Sequence, residues 1–280
     1  MQTTQRLPQE DSLNTVQQIQ RVSKVDSAEG NQVETIYYGT VNDDQIWATS
    51  PDLNLFYAGA GNDHLHGSAG RDIMQADNGD DILEGGAGND QLWGGKGNDQ
   101  IWGGQGNDIL NGGDGNDQLW GGKGNDLLRG GAGNDLLIGM DGDDILQGGR
   151  GNDFLAGEKG NDSLLGGAGK DTFNWAYFEP HTPSSNDVDI VHDFTLGEDK
   201  LEFSRLLSPG GRDLQLSIRQ IGSAGELEVH NSQAQLVQTI VLKNTDLLSV
   251  RDEQGALIGT LSSQEALQRM MDMGALDYHL

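Results

Sequence analysis

From Ala58 to Asn174 the chain divides into thirteen consecutive nine-residue blocks without an insertion or a deletion. Position four is Gly in every block and position six is Asp in every block. Position eight is always large and apolar, from Leu65 and Met74 to Leu164 and Phe173. The clearest blocks are GGAGNDQLW (85–93), GGKGNDQIW (94–102), GGQGNDILN (103–111), GGDGNDQLW (112–120) and GGKGNDLLR (121–129). A fixed period of this kind signals stacked repeats, each burying its apolar residue only against its neighbours.

Each column has a physical reason. Glycine gives the backbone positive φ and lets carbonyls approach a cation closely. Aspartate supplies the hard carboxylate oxygen that calcium takes. The residues after it form a short strand, in which alternation turns position eight inward and positions seven and nine outward. One block is then a loop and a strand, and two blocks close an 18-residue coil with a loop on each edge. Coils stack at about 4.8 Å. Loops 18 residues apart lie over one another, so Asp63, Asp81, Asp99, Asp117, Asp135, Asp153 and Asp171 form one column. Asp72, Asp90, Asp108, Asp126, Asp144 and Asp162 form the other. Carboxylates one strand spacing apart repel unless a cation lies between them. The six gaps of one column and five of the other would take on the order of 11 calcium ions, with backbone carbonyls completing the coordination.

The charge agrees with this. Acids outnumber bases 44 to 17, and the formal net charge is -27. Eleven divalent ions would bring it to roughly -5, at the ion count expected for such sites. The same charge argues against a nucleic-acid partner and an anionic membrane surface. Gly and Pro, 43 and 5 residues, stay below the share that marks low-complexity chains, and the glycines are periodic. With no cysteine there is no disulfide, thiol nucleophile or thiolate metal site. No apolar stretch approaches the ~18 residues of a membrane span, so no membrane insertion is expected. MQTTQRLPQEDSLNTVQQIQ lacks an apolar signal-peptide core, so export would need another signal.

The GGxGxDxUx pattern resembles the repeat-in-toxin (RTX) motif, over about two-fifths of the chain. The resemblance implies an all-β parallel β-roll, calcium between the loops and secretion through a type I export channel. It also implies that early loop carbonyls join the aspartates: Gly85, Ala87, Gly94, Lys96, Gly103, Gln105, Gly112, Asp114, Gly121, Lys123, Gly130 and Ala132, with Gly113 and Gly115 from neighbouring positions. Departures are Ala76-Asp77-Asn78 in place of GGx, Gly139-Met140 and Gly157-Glu158 without the second Gly, and Lys170 in place of Asn. Residues 58–175 are thus read as the roll, 39–57 as degenerate repeats forming a cap, and 1–38 as a lead-in. In the cap, Asn42–Trp47 and Asn54–Tyr57 imitate the repeat.

Residues 176–280 are read as a small β-rich capping and secretion-target domain ending in a helix. Pro180 and Pro183 mark a loop. Val188–Leu201 resembles the D-x-I-x-D-F-x-x-G-E-D-K stretch that follows the repeats in type I secretion substrates. Its Asp189, Asp193 and Asp199 are candidates for one further calcium, or else turn and surface acids. Alternation over 214–220, 226–230 and 235–242 predicts antiparallel strands, and Ser262-Ser263-Gln264-Glu265 opens a helix that Gly274 stops. QTIVLKNTDLL followed by SSQEALQRMMDMGAL resembles the C-terminal target domain of large RTX adhesins, which implies an uncleaved export signal in the last ~60 residues.

On the outer faces, Trp102 and Trp120 stand one coil apart with Ile138 next in line, Trp93 lies on the other face, and Ile73, Ile109, Leu127 and Ile145 share a row. These form either a ladder for carbohydrate or a cell surface, or ordinary cross-strand packing. Position three is never Thr in the GG-type blocks, which speaks against an ice-binding face. No HExxH, GxSxG or GxxxxGK[ST] motif occurs, and His64 and His66, flanking inward Leu65, are read as surface residues. The expectation is a non-catalytic, secreted, calcium-dependent folding and export module of an adhesin. The alternatives are the targeting or polymer-binding module of a secreted RTX protease, lipase or alginate epimerase, and a stand-alone carbohydrate-binding roll.

Overall fold

The computed structural model describes residues 20–25, 33–48, 51, 53–175, 187–202, 215–221, 224–230, 236–243, 249–251, 257–260 and 262–277. They fall into two compact units, residues 1–136 and 137–280. Pro180 and Pro183 lie outside the described residues.

The first unit is a parallel β-solenoid. Strands Asn54–Ala60, Asp72–Asn78, Gln91–Lys96, Ile109–Asp114 and Leu127–Ala132 form one sheet. Strands Gln45–Trp47, His64–Ser68, Ile82–Ala87, Gln100–Gln105 and Gln118–Lys123 form the other. The register keeps the repeat, pairing Leu92 with Leu110, Leu110 with Leu128 and Ile101 with Leu119. Every position-eight side chain is fully buried, and Ile46 and Phe56 extend that core into the degenerate turns.

The strands are longer than the repeat suggests. Gln91–Lys96, for example, runs from position seven through the following glycine pair, and Gly94 is buried like Leu92. Only positions four to six remain for the loop. The glycine pair is needed because the backbone takes φ of +120° at Gly95, and +128° at Gly97 beyond it. Asp77, Met140 and Glu158 adopt the same left-handed conformation, at φ 76°, 82° and 78°, where the second glycine is missing. These loops therefore keep the repeat geometry at a cost in backbone strain.

The stretch expected as a lead-in contributes two strands. Val33–Tyr38 adds in parallel to Asn54–Ala60, and Gln20–Val25 pairs with it antiparallel, so a reversed strand ends the parallel sheet. Tyr37 stacks on Phe56 with ring centroids 4.8 Å apart.

In the second unit the coil pattern runs past Asn174. Ser163–Ala168 pairs in parallel with Asp187–Val191, and Thr172–Asn174 with Lys200–Glu202. Val191 and Leu201 occupy the core places, so Val188–Leu201 is one more coil. The predicted antiparallel meander is present as Gln215–Ile221, Ala224–His230 and Leu236–Leu242. Its last strand joins Asp187–Val191 in parallel, which carries the coil sheet into the meander. The helix Ser263–Asp272 has the expected capping box between Ser262 and Glu265, and Gly274 follows its end at φ +71°. Among the described residues no helix is long and apolar enough to cross a membrane. One outward expectation fails: Ile138, in the position-nine row of Trp102 and Trp120, is fully buried, as is Ala156.

Candidate metal centre

Each loop is held by two ladders that run in opposite directions. The position-six carboxylate reaches toward the preceding coil: Asp63, Asp81, Asp99 and Asp117 donate their amides to Oδ1 of Asp81, Asp99, Asp117 and Asp135 at 2.7–2.8 Å. The second column repeats this from Asp72 to Asp90, Asp108 and Asp126. The position-five side chain reaches the other way. Asn107 donates its amide to Asn89 Oδ1, and Asn116, Asn125 and Asn134 do the same toward Asn98, Asn107 and Asn116, at 2.7–2.9 Å. Asp80 and Asp143 replace Asn without loss, accepting from the amides of Asn98 and Asn161. Nothing within a single repeat reveals that Asn is an acceptor for the next coil; its recurrence at position five, broken by Arg71, Asp80, Asp143 and Lys170, is the available signal.

The second carboxylate oxygen is different. At Asp63, Asp81, Asp90, Asp99, Asp108, Asp117 and Asp162 the side-chain Oδ2 is buried and has no hydrogen-bond partner. A buried carboxylate oxygen without a donor is strongly unfavourable in a protein alone. At Asp90 and Asp108, among others, the position-one glycine makes room for it. A Cβ on Gly85 would stand 2.5 Å from Asp90 Oδ2 and 2.6 Å from the Gly103 carbonyl, and one on Gly103 would meet Asp108 Oδ2 and the Gly121 carbonyl at the same distances. Carboxylate and carbonyl oxygens of successive coils thus line one small space.

Burial pushes these carboxyls up, and at Asp63, Asp90 and Asp99 carboxylates one coil away add to the shift. Asp90 is raised to about 8, Asp63 and Asp99 to about 7, and Asp81, Asp108 and Asp117 to about 6. At an effective dielectric of ~20, two unit charges about 4.8 Å apart repel by about 3.5 kcal/mol. The donors are all oxygen, of the kind a hard divalent cation prefers. No three His, Cys, Asp or Glu side chains surround a metal position among the described residues. A site here would take few carboxylates and fill its sphere from the backbone. The position-three carbonyls of Lys96, Gln105, Asp114, Lys123 and Ala132 each already accept from a position-four amide of the preceding coil, leaving one lone pair apiece.

Four loops close differently. Asp44 and Asn54 take the aspartate places ahead of the array: Asp44 donates its amide to Asp63 Oδ1, and Asn54 Nδ2 donates to Asp72 Oδ1 at 2.6 Å. Asp44 Oδ2 accepts from the amide and hydroxyl of Thr40, and Asp72 Oδ2 from the amide of Ser68 at 2.6 Å. Ser68 stands where most blocks have the second glycine. At the other end Asp162 and Asp171 donate their amides to Oδ1 of Asp189 and Asp199. Asp189 Oδ2 accepts from the Trp175 indole at 2.6 Å, and Asp199 Oδ2 from the amide of Thr195 at 2.7 Å. Asp189 and Asp199 therefore continue the two separate columns and do not meet at one ion. Asp193 accepts from the amides of Gly166 and Gly167.

A family model for the RTX calcium-binding nonapeptide repeat, in four copies, matches residues 53–83, 75–110, 102–137 and 138–173. Residues 53–173 are RTX calcium-binding repeats. The RTX array is a calcium-binding β-roll, and its donor-free oxygens lie where the repeat places its aspartates. A solved structure, the AlgE6R3 subunit from the Azotobacter vinelandii mannuronan C5-epimerase, is 28% identical over 49% of this chain and 72% of its own, with a TM-score of 0.25. No curated protein matches the sequence.

Of the tryptophans, Trp102 and Trp120 stack on each other, centroids 4.7 Å apart and planes 3° off parallel. One face of each ring is thereby covered by the other. Trp93 stands in the other sheet, between Gln75 and Asn111 in register.

Proposed function

We propose that this chain is a calcium-dependent folding and export module of an extracellular RTX protein, and that the protein it serves is an adhesin. The proposed ligands are the position-six aspartates other than Asp72 through Oδ2, with position-one and position-three carbonyls such as those of Gly94, Lys96, Gly112 and Asp114. Calcium supplies the positive charge that the buried carboxylates lack. The observation that carries this reading is the buried Oδ2 without a donor, placed beside a carbonyl of the next coil. If every gap fills, on the order of 11 ions bind, and stacking makes their binding cooperative.

The module acts as a switch. Inside a cell, calcium lies far below the ~10⁻⁴–10⁻³ M affinity of extracellular sites, so the columns repel and the roll stays unfolded. An unfolded chain threads a channel; outside, calcium folds it, and binding free energy becomes folding free energy. Export and adhesion rest on the resemblance of the C-terminal stretch to adhesin target domains, and catalysis is assigned to no residue. Circular dichroism of the full chain during a calcium titration tests the folding half. A sigmoidal gain of β-signal is expected, and full β-structure in excess chelator would overturn it. A reporter fused ahead of residues 221–280 tests the export half: its release should require co-expressed type I machinery.

A further inference from the structure

One side-chain cluster lies outside the calcium loops. His64 and His66 are two apart on the strand His64–Ser68, so pleating turns both imidazoles outward on either side of buried Leu65. Glu84, on the neighbouring strand Ile82–Ala87, stands opposite His66 in register. Its carboxylate meets both rings. Oε2 lies 2.6 Å from His66 Nδ1, and Oε1 lies 3.3 Å from His64 Nε2. The three side chains are 33%, 45% and 38% exposed, open enough to exchange a ligand with solvent.

Two imidazoles and one carboxylate form a donor set of the wrong kind for calcium. Nitrogen donors favour borderline first-row metals, and His₂Glu with an open position is a zinc ligand set. In a tetrahedral site with bonds of about 2.0–2.1 Å, ligand atoms stand about 3.3 Å apart. His64 Nε2 stands at about that distance from Oε1 while His66 Nδ1 meets Oε2, so the carboxylate must turn to present one oxygen to both rings. The His66–Glu84 contact must open by under ~1 Å, which rotation of a half-exposed glutamate supplies. As described, the groups close on one another through hydrogen bonds and surround no point. A metal would take the place of those two bonds.

We propose that His64, His66 and Glu84 form a zinc site independent of the calcium columns, clasping two consecutive coils from outside. It draws no oxygen from the aspartate columns and leaves a fourth position to water. Its ligands come from two coils, so it forms only once calcium has folded the roll.

Calorimetric titration of the full chain with zinc chloride, in saturating calcium, tests this. One zinc per chain is expected, with affinity lowered about ten-fold or more in His64→Ala and in His66→Ala, the size of effect seen when a metal's surroundings are disturbed. His192→Ala should bind as the parent does, since His192 contacts Ser163 instead. Absence of zinc binding, parent-like binding in His66→Ala, or an equal loss in His192→Ala would each overturn the site. Circular dichroism in calcium checks that the variants fold. If His66→Ala does not, Glu84→Gln, which preserves size, carries the same expectation.

Discussion

In the loop that ends at Asp108, the carboxylate accepts one amide through Oδ1 and turns a donor-free Oδ2 toward the cradle beneath Gly103. In the loop that ends at Asp72, the same residue is satisfied on both sides, by Asn54 Nδ2 on Oδ1 and the Ser68 amide on Oδ2. Asp189 and Asp199 resemble Asp72, with Trp175 and Thr195 as donors to Oδ2. One residue type therefore does two jobs. Where no donor reaches Oδ2, with the glycine pair intact (Asp90, Asp108) or altered (Asp81, Asp162), the protein leaves a buried carboxylate oxygen for a cation to balance. At the margins, Ser, Thr and Trp donors do the compensating, and the coil closes with its own atoms.

The largest effect is expected with pH, and both kinds of loop share it, since burial raises Asp72, Asp189 and Asp199 as well. The GG-loop carboxyls are raised by burial, from an ordinary value near 3.8 to about 6 for Asp108 and about 8 for Asp90. A raised carboxyl favours the folded state while protonated. Its contribution is whole below the unfolded pKa and is lost as pH rises through 6 to 8. Calcium-free protein should therefore gain β-structure between pH 8 and pH 5.5, still above the pI of 4.2. Calcium binding at pH 7 should release protons, measurable as a buffer-dependent heat. A calcium-free spectrum that is flat or loses β-signal toward pH 5.5 would sink the account of raised, buried carboxyls.

Next in size comes the ion count. Asp108→Ala should remove at least one calcium at saturation, counted by native mass spectrometry. Asp72→Ala should keep the count and instead lower thermal stability by roughly 1–3 kcal/mol, the cost of stranding buried donors. Equal ion losses in the two variants would erase the distinction. The smallest effect concerns backbone. Met140 holds φ at 82°, where Gly would be at ease, so Met140→Gly should stabilise the calcium-loaded roll by about 1 kcal/mol, seen as a small rise in melting temperature.

Much of this was legible in the sequence, for reasons that can be named. Gly, Asp and the apolar column recur at nine, so the coil, its inward Leu row and the aspartate columns follow from spacing. Ser262, Glu265 and Gly274 marked the helix ends because a capping box is local. What needed the structure was non-local. Strand length was hidden because glycine has little strand propensity, yet the pair extends each strand. Asp189 and Asp199 follow Asp162 and Asp171 by 27 and 28 residues, not 18, so the period no longer pointed to their columns. His64, His66 and Glu84 meet only because coils stack.

The opposed ladders also bear on how such an array changes length. Between residues 80 and 135 the coils offer an acceptor to the coil before and another to the coil after, and each bond spans the same 18 residues. Deleting or duplicating 18 residues, such as 94–111, would re-form both ladders with identical partners. A nine-residue change would instead exchange the two faces for everything downstream. Recombination between repeats should then be tolerated best in pairs, which makes the coil, not the motif, the heritable unit of growth.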